Sequence, residues 1–433
     1  MKKEFLKYVL LNVLGMIGLS CYILADTFFI ARGLGANGLT ALNLAIPVYS
    51  LVNGCGLMLG MGGAAKYSVF RGQGAERSAN EVFTHTVWMA ALFSVFFMTA
   101  GIFCDDLLAT LLGADEQVYE MTRIYLKVIL LFAPAFLFNN VFGCFVRNDG
   151  APGLSMAAML FGSLFNIVFD YIFVFPLHMG ILGAVLATGC APVVGMLILT
   201  VHLRKGNNQF HFKMGNVKLR MAGSILSLGF PSLVTEVASG LVMIIFNMLI
   251  LRIQGNTGVA AYGIIANLAL VVSSIYNGVA QGMQPLVSRC YGKGERMQMR
   301  KIQHYAVITV GILSVFIYLG LCGFAEPVAA MFNSEGNPIL QRMAVEGLKL
   351  YFLSAPFVGY NIVSAMYFTA SEKAVPAQIL SLMRGFFLVV PMAFLLAKVG
   401  GMNGIWMTVP LTELCTAILG IWLFHHSLLD TEL

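Results

Sequence analysis

The sequence predicts an all-α membrane protein with twelve transmembrane helices in two pseudo-symmetric six-helix lobes. Three observations predict it. The 433 residues are 59% hydrophobic and 11% charged, with a mean hydropathy of +0.83, whereas soluble domains carry about 25% charged residues. Apolar runs recur along the chain, each near the ~20 residues that cross a hydrocarbon core. The second half of the chain repeats the first.

The runs fall, in order, at about 5–31, 38–65, 79–104, 119–146, 154–176, 180–203, 219–251, 258–287, 302–324, 343–370, 376–397 and 402–426; they are called spans 1 to 12 below. Span 1 is not read as a secretion signal, because it lacks a small-residue cleavage pattern and further spans follow. With the N-terminus in the cytoplasm, Arg32, Arg123, Lys127, Arg252, Arg342, Lys349 and Lys398 lie outside and Arg384 lies within a span. The other 18 of the 26 Lys and Arg residues then fall inside, so both termini are expected in the cytoplasm.

The repeat is explicit. Shifted by 220 positions, Gly35, Gly38, Ala41, Gly62, Ser68, Gly72 and Gly74 fall on Gly255, Gly258, Ala261, Gly282, Ser288, Gly292 and Gly294. Ala133-Pro134 and Asn139 match Ala355-Pro356 and Asn361, and Gly180 and Gly183 match Gly401 and Gly404. Span 2 maps onto span 8, so both copies enter the membrane in the same sense. Parallel repeats of this kind are typical of transporters whose lobes rock about a central site. The expected division is an N-lobe at 1–203, a cytoplasmic linker at 204–218 containing Gly206-Asn207-Asn208-Gln209, and a C-lobe at 219–433. Gly56-x-x-x-Gly60 and Gly278-x-x-x-Gly282 sit in equivalent spans and are read as allowing close helix approach.

Several classes are excluded. Too few charges are present to cover a water-facing surface of this size. The eight cysteines are scattered without a C-x-x-C pair, so neither a disulfide framework nor a metal cluster is expected. No basic domain exists for a nucleic acid. No G-x-x-x-x-G-K-[ST] motif occurs, which disfavours ATP-driven pumping, and Gly54-x-Gly56 lies mid-span rather than after a strand.

Intramembrane charges carry the functional signal, because each costs about 2.5–3.5 kcal/mol or more at the bilayer centre unless paired, protonated or wet. Asp26, Asp170, Glu236 and Glu413 are the acids, and Arg384 is read as the only base inside a span. At ~1.5 Å per residue, Asp26 lies ~8 Å, Asp170 ~9 Å and Thr188 ~12 Å from the outer ends of spans 1, 5 and 6. Asn166 lies one turn from Asp170 on the same face. Oxygen-bearing side chains from three spans thus share one depth, which suits a proton or Na⁺ at Asp26, Asn166, Asp170 and Thr188. Asn166 and Asp170 could instead only bond neighbouring helices.

Glu236, five residues after Pro231, could hold a cationic substrate or a second ion, or pair with a polar neighbour. Gln281, Gln284, Asn139 and Asn361 are further candidates for the substrate or a second ion. Glu413 and Arg384 have matched depths and are expected to form a structural ion pair. The 25 methionines and aromatics such as Phe142, Tyr262, Tyr276 and Tyr367 suit either an adaptable cavity or ordinary core.

Asp26-Thr-Phe-Phe-Ile-Ala-Arg-Gly-Leu-Gly35, Ile46-Pro47, Gly60-Met-Gly-Gly-Ala-Ala65 and Arg71-Gly72-Gln-Gly74 resemble the N-lobe signature of the MATE (multidrug and toxic compound extrusion) transporters. Gly229-Phe-Pro231, Gln281-Gly-Met-Gln-Pro285 and Tyr291-Gly-Lys-Gly294 resemble its C-lobe counterpart. The chain looks similar to bacterial members near the MepA-like and DinF-like groups.

The resemblance implies export of small organic cations or drugs in exchange for H⁺ or Na⁺. It implies no cofactor, a multi-pass protein of the bacterial plasma membrane, and a monomer. In DinF-like members an Asp on span 1, an Asn and Asp one turn apart on span 5 and a Thr on span 6 hold the cation; Asp26, Asn166, Asp170 and Thr188 match. Some relatives bend span 1 at a proline. No proline precedes Pro47 here, leaving Gly15 and Gly18 as the candidate hinge. NorM-like members use acids on spans 7 and 10, of which only Glu236 has a counterpart.

Two rivals stay open. A lipid-linked oligosaccharide flippase of the same superfamily would need cations in its cleft to meet pyrophosphate. A membrane enzyme would need a His/Asp/Glu motif with catalytic spacing inside the spans, and none is found.

Overall fold

The computed structural model describes residues 1–204, 206, 208–213, 218–333 and 336–429, with side chains up to 426. Lys205, Asn207, the 214–217 part of the linker and the C-terminal 430–433 lie outside the described residues. Helices account for nearly all of the described chain, and none of it is in a strand.

Among the described residues, seven helices are long and apolar enough to cross a membrane, or eight if the pair Tyr119–Leu131 and Ala133–Asn148, bent by 46°, is one span. Three of the seven must be more than one crossing. Lys2–Gly72 has 71 residues and Leu219–Gly292 has 74, while a hydrocarbon core is filled by ~20. Each breaks at one glycine with left-handed backbone, Gly35 (φ 67°) and Gly255 (φ 63°). The third, Ala374–His426, breaks at Gly401 (φ 54°), and Gly180 (φ 63°) opens Gly180–Arg204. These are the two glycine pairs of the sequence repeat, and a Cβ there would strain the turn. With Pro338–Tyr351 and Ala355–Ala370 as span 10, the count is twelve.

Each half builds its own core. Leu59, Tyr67, Phe83, Leu126, Phe145 and Val185 lie within one apolar cluster, and Phe246, Tyr276, Met283, Val310, Phe368 and Trp406 within another. Tyr262, Tyr276 and Tyr367 belong to the second core, and Phe142 packs against the first. On the face away from the termini, the short helix Asp105–Leu111 is clamped to span 4 by Arg123 (3.1 Å) and Lys127 (3.3 Å) on Asp105. Burial opposes the charge on Asp105, but these two partners outweigh it and hold the carboxyl below its usual range.

The halves meet along a seam of pseudo-twofold mates. Gly62 lies against Ile225 and Gly229 of span 7, and Gly282 against Tyr8 and Val9 of span 1. Gly72 and Gly292, the same position in the repeat, touch each other, so the pseudo-axis passes between them. Ser68 Oγ donates to Asn148 Oδ1 at the end of span 4, and its mate Ser288 donates to Ala370 O at the end of span 10. Hydrogen bonds and ion pairs join the lobes at mid-span and nearer the terminus-bearing face. Lys66–Glu372 (3.0 Å), Arg289–Glu4 (2.6 Å) and Asn148–Gln284 (2.9 Å) are examples.

The two G-x-x-x-G motifs are not equivalent. Gly56 and Gly60 pack on Asn140 and Cys144 within the N-lobe, whereas Gly278 and Gly282 pack on span 1 across the seam. Gly56 is offset by two residues from the repeat mate of Gly278, and two residues turn a helix by more than half a revolution. Gly15 and Gly18 seat span 1 against Met159 and Leu160 of span 5, and span 1 runs without a break to Gly35.

A methyl group at Gly292 would collide with the carbonyl of Val69, while one at Gly311 meets open space. Overpacking of that kind costs about 1–3 kcal/mol. Gly292→Ala is therefore expected to lower the thermal unfolding midpoint in detergent, and Gly311→Ala to leave it unchanged or higher.

Candidate cation and substrate sites

The N-lobe cluster forms where spans 1, 5 and 6 cross. Asp26 is 7% exposed, Thr188 4%, and Asn166 and Asp170 are fully buried. The carboxyls of Asp26 and Asp170 are neighbours in this cluster, close enough to act on each other. The Asn166 amide bridges the other two groups: with its nitrogen toward Asp170 Oδ2 (3.0 Å), its oxygen accepts from Thr188 Oγ1 (3.3 Å) and from the Thr188 backbone N–H (3.2 Å). Asn166 and Asp170 project together because they are four residues apart on one helix.

One oxygen of each carboxyl, Asp26 Oδ1 and Asp170 Oδ1, is buried without a partner. Two neighbouring buried carboxyls repel each other when both are charged, unless something positive lies between them. The oxygen-only donor set and the two unpartnered oxygens fit a proton or a hard cation such as Na⁺.

Three tyrosines complete the chamber, and the sequence reading did not name them. Tyr22 lies one turn before Asp26, and its hydroxyl meets that of Tyr49 at 2.9 Å. Tyr125 on span 4 lies beside Thr188 and both aspartates. Tyr125 is about six residues, or ~9 Å, into its span, the same depth as Asp170, so the depth argument could have found it.

The other candidates do not converge. Glu236 sits at mid-seam, where Asn53 Nδ2 donates to its Oε2 (3.2 Å) and Asn140 Nδ2 donates to Asn53 Oδ1 (2.9 Å). Asn53 and Asn140 were not anticipated. Asn139, one residue away, faces Gly195 of span 6 instead. Tyr49, bonded to Tyr22, lies in the neighbourhood of both Glu236 and Asp26. Gln284 is buried against Asn148, and Gln281 accepts from Arg147 at 2.7 Å. Asn361 donates to Glu413 Oε2 (2.6 Å), and Arg384 donates to Glu413 Oε1 through Nε (3.0 Å) and Nη2 (2.8 Å). Arg384 lies on a π-helical turn, Met383–Phe387. Arg384 is also not the only base held inside: Arg147, counted with the inner segments from sequence, is 2% exposed within the seam.

A profile of the family described as MatE matches residues 13–172 and 231–395. The chain belongs to the MatE family. Among its relatives, the multidrug export protein MepA of Staphylococcus aureus (strain MSSA476) is 23% identical over 436 residues, 99% of this chain and 96% of that protein. MepA of Staphylococcus saprophyticus is 24% identical over 412 residues, 94% and 90% of the two chains. A solved outward-facing multidrug resistance MATE transporter of the MOP superfamily shares the fold at TM-score 0.92 and 22% identity, over 99% of this chain and 97% of that one. A MOP superfamily transporter from Pyrococcus furiosus, described as having a binding pocket of reversed polarity, matches at TM-score 0.90 and 23% identity, over 97% and 94%. This MatE chain is thus a multi-pass membrane protein whose curated relatives are drug exporters. The MatE profile covers Asp26, Asn166, Asp170 and Glu236, and Thr188 lies between its two matched segments.

The C-lobe ion pair allows a direct test. Removing one partner of a buried pair leaves an unmatched charge and costs about 3–5 kcal/mol, while replacing both is far milder. Arg384→Met and Glu413→Gln are each expected to destabilise more than the double variant, read by thermal unfolding.

Proposed function

We propose that the chain is a secondary antiporter that exports organic cations or drugs in exchange for a coupling cation, H⁺ or Na⁺. The observation that carries this reading is the Asp26–Asp170 pair, two buried carboxyls with unpartnered oxygens on different helices of one lobe. A bound proton or Na⁺ relieves their mutual repulsion and draws span 1 toward spans 5 and 6. Without it the carboxylates repel and the spans relax apart. Cation occupancy then biases the shape of the N-lobe, and with it the wall of the cleft between the lobes.

Glu236 is the substrate-facing acid. It lies at mid-seam, beyond the contacts that close the terminus-bearing side, where its carboxylate attracts a cationic drug. The Asn53 and Asn140 amides hold it in place, and Tyr49 lies near both it and Asp26 of the coupling chamber. Drug and coupling cation therefore compete through one short stretch of spans 1 and 2. With the termini in the cytoplasm of a bacterial cell, the closed seam faces inside, as required of the state that releases drug outward and reloads the coupling cation. The acidic sites also argue against a pyrophosphate-linked lipid as cargo, because phosphate would meet carboxylates rather than bases.

Dye efflux from proteoliposomes tests the assignment. An imposed pH gradient should drive efflux if H⁺ is the coupling ion, and an imposed Na⁺ gradient if Na⁺ is. Asp26→Asn and Asp170→Asn should each abolish gradient-driven efflux while leaving a monodisperse, folded protein, and wild-type rates in both would refute the site. Glu236→Gln should weaken binding of cationic dyes by about tenfold or more, as expected when a charge-assisted contact is lost, and leave binding of neutral dyes unchanged.

A further inference from the structure

Below Glu236 the seam holds a charge that transport, as described so far, does not use. Arg147 Nη1 donates to Asn12 Oδ1 of span 1 (2.8 Å) and across the seam to Gln281 Oε1 of span 8 (2.7 Å). Its Nη2 faces sulfur, Met61 Sδ at 3.3 Å and Cys144 Sγ at 3.4 Å. Its Nε has no partner. No carboxylate among the described residues pairs with it. The acids on this face are engaged elsewhere: Glu372 with Lys66, Glu4 with Arg289, and Asp149 with Tyr67 and His202.

Arg384 shows what this chain does when it buries a guanidinium for stability, which is to give it a carboxylate. Arg147 gets two amide oxygens and two sulfurs. Burying an ion costs several kcal/mol even after relaxation. Hydrogen bonds to neutral acceptors recover only part of that, and sulfur is a weak acceptor. Everything else along the seam favours closure: the Gly72–Gly292 contact, the two ion pairs and Asn148–Gln284. Once the lobes part, water reaches the guanidinium and repays its solvation.

We propose that Arg147 is a hydration-driven spring in the terminus-side gate. It is a positioning residue whose unmatched charge disfavours the closed seam, so that the lobes separate during the transport cycle. Gln281 opposes the spring by supplying its one acceptor from the far lobe. The proposal rests on the alternating-access reading above. A gate held only by attractive contacts would be stable in one state, and a buried unmatched charge narrows the difference between closed and open.

The test is a distance across the gate in full-length protein in lipid nanodiscs. Arg77 and Met297 are pseudo-twofold mates on the terminus-bearing face, and both are highly exposed. Spin labels at these two positions report the opening by pulsed electron resonance, with Cys21, Cys104, Cys190, Cys322 and Cys415 replaced and the buried Cys55, Cys144 and Cys290 kept. Arg147→Met should lower the open-to-closed ratio by about fivefold or more. Arg147→Lys, which keeps the charge, should stay at or above the wild-type ratio. Gln281→Leu should raise the ratio, and the double variant with Arg147→Met should match Arg147→Met alone.

An increase in the open state with Arg147→Met would make Arg147 a latch and overturn the proposal, as would no change in either variant or a Lys variant that behaves like Met. Should Arg147→Met not fold, Gln281→Leu decides alone: more opening supports the spring, and less or unchanged opening refutes it. A wild-type distance that ignores dye, pH and Na⁺ would overturn the alternating-access reading itself, whereas a wild type that switches while the variants do not removes only the role given to Arg147.

Discussion

A charge held where water cannot solvate it loses several kcal/mol, and this protein places acids and bases inside both of its lobes and in the seam between them. The chain meets the problem in four ways. Arg384 and Glu413 neutralise each other, with Asn361 completing the carboxylate's shell. Glu236 rests on a chain of amides at mid-seam. Asp26 and Asp170 share a chamber with no base in it. Arg147 has only neutral partners. The first arrangement is satisfied and static. The others are incomplete as they stand, and incompleteness is what allows an ion, a drug or water to shift an equilibrium.

The repeat explains how these sites hold their relation to one another. Gly72 and Gly292 cross at the pseudo-axis, and only residues without a Cβ allow the two backbones to approach so closely. The crossing brings spans 1 and 8, and 2 and 7, into register as mates. It also divides the molecule by depth. Contacts between lobes accumulate on the terminus-bearing side, while the aspartate chamber lies in the other leaflet of the N-lobe. The two halves kept the same frame and diverged in chemistry: the N-lobe chamber is acidic and unpaired, while the C-lobe holds a closed ion pair with Asn361, the repeat mate of Asn139, as its ligand.

Span 4 ties these levels together. Its first segment carries Tyr125 into the chamber, and its second carries Asn140 to the Glu236 chain and Arg147 to the seam, with a 46° bend between the segments. Asn139 and Asn140 illustrate how narrow the distinction is. Adjacent residues on a helix point about 100° apart, so one faces span 6 and the next faces Asn53 of span 2.

The sequence by itself determined the twelve spans, their pairing into repeats and the glycines at the turns. Each of these depends on local physics: run length against bilayer thickness, and backbone freedom at a single residue. It also grouped Asp26, Asn166, Asp170 and Thr188, because depth along a helix can be counted from its end. Only the tertiary structure decided which faces meet. Rotation about each helix axis is invisible in a count of residues, so Tyr125, Asn53 and Asn140 were missed, and Gln281, Gln284 and Asn361 found partners in three separate places. Arg147 passed for a loop cation because one sequence position separates the end of a span from the turn beyond it, and only the packing of the opposite lobe shows that the position is dry.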